Sequence, residues 1–333
     1  MQIEGKQYFD EYVLVAPGSD YGRVMWGDIG EMENGTILEQ VLDNHKGVLN
    51  VLHHVHFSFA INNCIQLPFQ SIWHKYYALS RIDLNPDKRY CVIFTDISAC
   101  RTDEKYFNEL KSKKNITLVL AMVNTMIRKK KLLERRLSSF ELVFSFDKTD
   151  CENNGFIYHP TNYSTAAIVK NNKVMYDAFF VGVSKGRQSI LEKIYNKLNT
   201  AGAKCSFFIV GVKKKNVLGI HYNEWLSYKQ VLSQIENSNC IIEVMEGEQQ
   251  GVTLRAMEAI CYNKRLLTNN KSIKDLSFYK TGNIMVFDSI EEINPEFVKN
   301  SKDVDYEYNN EFSPIHLIEH INRICEKKQK LEN

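Results

Sequence analysis

Short runs of β-branched and aromatic residues alternate along this chain with longer stretches of helical period. In the first half, residues 12–16, 90–95, 116–122 and 141–146 predict strands. In the second half, residues 178–182, 205–211, 240–244, 265–268 and 283–287 do the same. Helical periods lie between them, among them 187–201, 227–237 and 253–262. Strands that are apolar almost throughout are covered on both faces, and the intervening helices supply the cover. The pattern therefore predicts an α/β protein built on parallel sheets. Residues 147–172 lack strong period and contain Asn153-Asn154-Gly155, His159-Pro160 and Asn171-Asn172. They read as a linker between two domains, 1–168 and 169–333, with the helical period at 314–328 able to pack on either.

Composition narrows the class without naming a partner. A chain of 333 residues is long enough for two domains, each with its own core. Lys+Arg number 42 and Asp+Glu 40, so the net charge of +2 sets up no general field for nucleic acid. The 8 cysteines include no CxxC pair and no Cys/His spacing of a zinc site, which predicts reduced structural thiols and a reducing compartment. Residues 1–10 are polar, and no window approaches the ~18 consecutive apolar residues of a membrane span. The expected location is cytoplasmic. One segment departs from neutrality: Arg128, Lys129, Lys130, Lys131, Arg135 and Arg136 surround a single acid, Glu134, for a local net charge of +5. With Ile127, Leu132, Leu133 and Leu137 interleaved, a helix here is basic and amphipathic. It suits the anionic inner face of a plasma membrane, with a solvated surface helix as the plain alternative.

Two loops carry the candidate chemistry. In the first, an apolar strand runs through Glu243 into polar residues, and Gln250, Gly251, Val252 and Thr253 then lead into a helix. Such a helix start offers unpaired main-chain N–H groups and a partial positive charge to an anion. Gly251 permits close approach of the backbone, and the Thr253 hydroxyl can cap the helix or bond a phosphate oxygen. Arg255 can add a bidentate phosphate contact, and Glu258 can accept hydrogen bonds from the vicinal hydroxyls of a ribose. In the second loop, a buried strand ends in Gly182, followed by Lys185, Gly186 and Arg187, whose cations can neutralise a diphosphate. Each loop alone is also an ordinary turn; together they predict an anion crevice at the carboxyl ends of parallel strands.

These segments resemble the nucleotide-sugar domain of GT-B-fold glycosyltransferases, particularly bacterial enzymes of capsule, exopolysaccharide and lipopolysaccharide synthesis. The likeness is carried by residues 179–187, 228–238, 250–259, 264–270 and 283–288. It implies two Rossmann-like domains facing a cleft, with a nucleotide-diphosphate sugar as donor on the C-terminal domain. It also implies a saccharide acceptor on the N-terminal domain and hexosyl transfer without metal or cofactor, and the basic segment 128–136 fits an acceptor that is lipid-linked. The sequence departs from the family at Gln250, which stands where many retaining enzymes carry the first Glu of Glu-x7-Glu, Glu258 being the second. Retaining and inverting outcomes therefore both stay open. Two other readings share the architecture: a nucleotide-sugar epimerase, and a non-catalytic GT-B-like subunit of a polysaccharide assembly complex.

The acceptor half supplies several candidates. Gly18, after the first strand, resembles the loop that approaches the donor phosphate in this fold. A base that takes the acceptor's hydroxyl proton needs His, Asp or Glu, and His54, Asp96 and His159 each qualify. Asp303-Val-Asp305 has the form of a metal-chelating DxD but sits among charged and Asn-rich residues, as a solvated loop does.

Overall fold

The computed structural model describes residues 7–39, 47–62, 65, 67–126, 130–167, 174–213, 215, 219–245 and 251–332. The chain divides into two compact units, the first made of Met1–Ser164 with Phe312–Asn333 and the second of Thr165–Glu311.

The first unit is built on strands β1 (Glu11–Ala16), β2 (Gly35–Glu39), β3 (Tyr90–Thr95), β4 (Ile116–Ala121), β5 (Leu142–Ser145) and β6 (Ile157–Tyr158), ordered β2-β1-β3-β4-β5-β6. All neighbours are parallel. Successive strand residues point to opposite faces, and both faces are covered. Val13, Val15, Val92 and Phe94 pack with Trp73, Phe107 and Leu133 on one side. Tyr12, Leu14, Cys91 and Ile93 pack with Trp26, Ile318 and Ile321 on the other. Double coverage is why these strands read as unbroken apolar runs.

The second unit repeats the scheme with β7 (Tyr176–Val183), β8 (Cys205–Val210), β9 (His221–Tyr222), β10 (Ser238–Glu243), β11 (Arg265–Thr268) and β12 (Ile284–Val286). The order is β12-β11-β10-β7-β8-β9, again all parallel. Counted within the unit this is 6-5-4-1-2-3, the strand order of a dinucleotide-binding domain. The α/β fold with two parallel sheets is therefore as the sequence predicts.

One expectation changes and one left open is decided. Much of the predicted linker is part of the first unit. Asp147 caps the helix Lys148–Asn154 by accepting the Asp150 N–H at 2.9 Å, and the next residues form edge strand β6. Further on, Ser164 Oγ accepts the Asp28 N–H at 2.9 Å. These elements are too short for a periodic signal. Residues 168–173 of the predicted linker lie outside the described residues. The last helix, Ile315–Glu332, packs on the first unit, burying Leu317, Ile318 and Ile321 beside Leu14 and Ile93. The Tyr12 hydroxyl donates to Asn322 Oδ1 at 2.8 Å and ties that helix to the central strand. No helix among the described residues is long and apolar enough to cross a membrane.

Candidate functional site

In the second sheet the chain leaves β7 toward β8 on one side and β10 toward β11 on the other. The loops after these adjacent strands diverge, and the opening between them, at the carboxyl ends, is where open α/β sheets bind ligands. The residues placed there are 184–187 after β7, then 244–245 and 251–253 after β10. Residues 246–250, including Gln250, lie outside the described residues.

Both loops turn through left-handed backbone. Gly251 has φ 104° and Gly186 φ 83°, with Lys185 beside it at φ 45°. At Gly186 a side chain would meet no other atom within 4 Å, so the backbone conformation rather than space calls for glycine. Val252 follows Gly251, and Thr253 caps the helix Leu254–Cys261 by accepting the Ala256 N–H at 3.4 Å. The cap fixes the helix start beside the crevice, where its first amides and dipole favour an anion.

Beneath the loops is a network that the sequence did not announce. Glu243, the last residue of β10, is 2% exposed and accepts hydrogen bonds from the hydroxyls of Thr253 and Thr268. Burial raises its pKa, while the two hydroxyls and nearby Arg187 act in the opposite direction. Asn269 Oδ1 accepts the Met245 N–H at 2.7 Å, and Asn270 Nδ2 donates to the Gly251 carbonyl at 2.9 Å. The end of β11 thus props the loop after β10. The available signal was a carboxylate closing an otherwise apolar strand, followed 25 residues later by Thr-Asn-Asn closing the next one.

Several predicted contacts are used differently. Arg187 donates through Nη1 to the Val244 carbonyl, through Nη2 to Val183 at 2.6 Å and through Nε to Ser184 at 3.2 Å. It clasps the ends of β7 and β10 together, and these bonds make it a brace rather than a free phosphate ligand. Arg255 Nη1 lies 2.6 Å from Glu258 Oε2. Glu258 is fully buried and also accepts from the Tyr228 hydroxyl at 2.8 Å. Burial pushes its carboxyl up to about 7 against the pull of Arg255. In this arrangement the pair belongs to the interior of the unit, and neither residue presents itself to phosphate or ribose. Gly182 lies inside β7, and a side chain there would make only ordinary contact with Phe180.

The first unit has its own reversal of strand order between β1 and β3. Gly18 sits in the turn after β1, where Ser19 caps the next helix by accepting the Gly22 N–H at 3.0 Å. Asp96 follows β3 directly, but it is fully buried. Its two oxygens accept the Val123 N–H at 2.9 Å and Asn124 Nδ2 at 3.1 Å. That geometry makes it a tie between the β3 and β4 loops instead of a base facing an acceptor. His159 is also buried, with Nε2 3.1 Å from Asn162 Oδ1 and Nδ1 3.4 Å from His320. Burial, with His320 alongside, lowers its pKa to about 4, so near neutral pH it is a weak base. His54 is exposed on the helix Val48–His56. In the basic segment, Arg136 is 3% exposed and donates to the carbonyls of Thr102 and Leu132. Lys131 and Arg135 are exposed, while Arg128, Lys129 and the Lys130 side chain lie outside the described residues. The six bases therefore do not form one surface. Asp303 and Asp305 are exposed in irregular chain.

No protein-family model and no curated protein matches this sequence. Solved structures do match the fold. Sucrose-phosphate synthase from Thermosynechococcus elongatus, at 9% identity, superposes over 98% of this chain and 100% of its own with a TM-score of 0.50. The apo structure of OtsA, at 12% identity, does so over 86% of this chain and 89% of its own with a TM-score of 0.50. Both are GT-B glycosyltransferases. The likeness defines the class of architecture: this chain has a GT-B-like α/β fold.

One consequence concerns Thr253. Alanine there removes the cap and one of the two hydroxyls that satisfy Glu243. A loss of about 1–2 kcal/mol is expected, the size of a lost helix cap or hydrogen bond. Urea unfolding of the full chain measures it; an unchanged midpoint would mean that the hydroxyl holds neither partner.

Proposed function

We propose that this protein is a glycosyltransferase that moves a sugar from a nucleotide-diphosphate donor to a saccharide acceptor, lipid-linked, in cell-surface polysaccharide synthesis. The observation that carries the reading is the crevice at the β7/β10 reversal, with the left-handed Lys185-Gly186 turn on one side and the Gly251–Thr253 helix start on the other. In this reading the donor diphosphate sits against the main-chain amides of the helix start, and Lys185 faces the departing phosphate. Fixed amides and a cation stabilise the charge that develops as the glycosidic bond to phosphate breaks. Arg187, Glu243, Asn269 and Asn270 act indirectly, holding the two loops in register. The reading needs neither metal nor cofactor. The second unit serves as the donor domain and the first as the acceptor domain, with His54 as the exposed base candidate.

Thermal shift of the full chain against UDP, GDP, CDP and their sugars tests the reading. One nucleotide series is expected to stabilise the protein, by about 2.7 kcal/mol at a ligand concentration a hundredfold above Kd. If none does, the donor site is absent and a non-catalytic subunit of an assembly complex becomes the better account. If a nucleotide sugar is converted without acceptor, the epimerase reading replaces transfer.

A further inference from the structure

At the donor crevice one carboxyl group lies under the loops instead of on them. Glu243, 2% exposed, is met by two hydroxyls: Thr253 donates to Oε1 and Thr268 to Oε2. Each hydroxyl is an acceptor at the same time. Thr253 Oγ1 takes the Ala256 N–H at 3.4 Å, and Thr268 Oγ1 takes the Asn270 N–H at 2.9 Å. A hydroxyl has one hydrogen to give and two lone pairs with which to accept. While Glu243 is ionised, and so able only to accept, both threonine hydrogens are committed to it. The cations that face the carboxylate are Arg187, after β7, and Arg255, on the helix Leu254–Cys261. Arg187 donates to the carbonyls of Val183, Ser184 and Val244, and Arg255 is paired with Glu258.

An anion at the helix start disturbs this arrangement. A diphosphate there lies one side chain away from a buried carboxylate, and their repulsion is screened little where water is excluded. Burial already raises the Glu243 pKa, which brings the neutral acid within reach. Protonation removes the repulsion and also reverses a hydrogen bond. Protonated on Oε1, the acid donates to Thr253 Oγ1. The hydrogen of Thr253 can then turn outward to a phosphate oxygen while the cap on Ala256 is kept. Thr253 is half-buried at the crevice, where its hydroxyl can turn; Thr268 is fully buried and goes on donating to Oε2.

We infer that donor binding is proton-linked: Glu243 is ionised in the free protein and takes up a proton from solvent when a nucleotide diphosphate enters, turning the Thr253 hydroxyl toward it. The inference deepens the donor reading above and rests on it. Glu243 touches no reacting atom; it is a positioning residue that acts through Thr253. The sign follows from linkage. A carboxyl group that is more readily protonated in the bound state ties affinity to the proton, so binding is tightest at low pH and weakens as pH rises.

Isothermal titration calorimetry of the full chain with UDP, GDP and CDP tests it, between about pH 6.5 and 8.5 and in buffers of different ionisation enthalpy. For the nucleotide that binds, the expected result is net proton uptake of up to about one per site. Its affinity should fall by up to about tenfold per pH unit as pH rises. The terminal phosphate of the nucleotide ionises near roughly pH 6 and releases protons at an anion site, so it cannot supply an uptake. Glu243→Gln keeps the shape, and its amide donates to Thr253 Oγ1 as the acid does. This variant should take up no proton and bind with an affinity independent of pH, more tightly than wild type at the alkaline end. Infrared difference spectra of wild type should gain a carboxylic-acid C=O band on binding, which identifies a carboxyl group even if the variant does not fold. Binding without uptake across the whole range overturns the inference and leaves the donor reading standing. Uptake that persists in Glu243→Gln, or that brings no acid band, places the proton elsewhere and also overturns it. If none of the three nucleotides binds, the donor reading falls and this inference falls with it.

Discussion

At pH 5 the first unit should be about 4 kcal/mol less stable than at pH 7. His53 and His159 are held neutral by burial, with pKa values lowered to about 3 and about 4 from the ordinary 6.5. Their causes are physical and local: loss of water at both, then Arg101 near His53 and His320 near His159. In the unfolded chain each imidazole takes up a proton below 6.5 that the folded state refuses. Stability is therefore present above 6.5 and is lost as pH falls, by about 2 kcal/mol per histidine at pH 5. Glu141 and Asp150, raised by burial, oppose part of this. Trp26 and Trp73 are buried in this unit while Trp225, in the other, is 74% exposed. Tryptophan fluorescence during urea unfolding consequently follows the first unit. Equal midpoints at both pH values would contradict the burial argument, and His159→Gln should remove about half of the difference.

The second unit should respond in the opposite sense, and Glu258→Ala should weaken it most. Glu258 is raised by burial to about 7, so its contribution is complete below the ordinary 4.5 and declines as pH rises through 7. Acidification from pH 7 to 5 then adds about 2 kcal/mol to this unit. Alanine at 258 leaves the partly buried Arg255 without its ion-pair partner and removes one acceptor of the Tyr228 hydroxyl. Removing one member of a buried pair costs about 3–5 kcal/mol. Hydrogen exchange read by mass spectrometry separates the units and should show the loss confined to peptides within Thr165–Glu311. The double variant Arg255→Met/Glu258→Leu should recover most of it, because the stranded charge is gone. If Glu258→Ala lowers nucleotide affinity and leaves exchange unchanged, the carboxylate faces a ligand, and the pairing described above is not its role.

The fold was legible in the sequence because the central strands are covered on both faces. Unbroken apolar runs such as Val92-Ile93-Phe94 in β3 and Phe207-Phe208-Ile209 in β8 could be read directly. The strands that escaped notice, β2, β6 and β9, lie at sheet edges and are short or half exposed. The two-residue strands have no period to detect. At the candidate site, the glycine turns and the Thr253 cap were visible because local backbone geometry restricts residue type. What Arg187, Arg255, Asp96 and Glu258 do was not visible. A charged side chain at a strand end or in the first turn of a helix has the same sequence signature whether it meets a ligand or a neighbouring carbonyl. Only the tertiary partner, often far along the chain, decides between them.

The return of the last helix to the first unit has a consequence for synthesis. The second unit is inserted within the first, between Ser164 and Thr165 on entry and between Glu311 and Phe312 on exit. During translation the second unit is complete before the first, although the first begins earlier. Until Asn322 leaves the ribosome, Tyr12 lacks its partner, and the face of β1 that carries Leu14 is missing the cover supplied by Ile318 and Ile321. The earliest strand to emerge is thus among the last to be finished, and the nascent chain carries an uncovered apolar sheet face for most of its elongation. At roughly 5–20 residues per second, that interval lasts on the order of ten seconds to a minute, long enough to make this face a natural client for a chaperone.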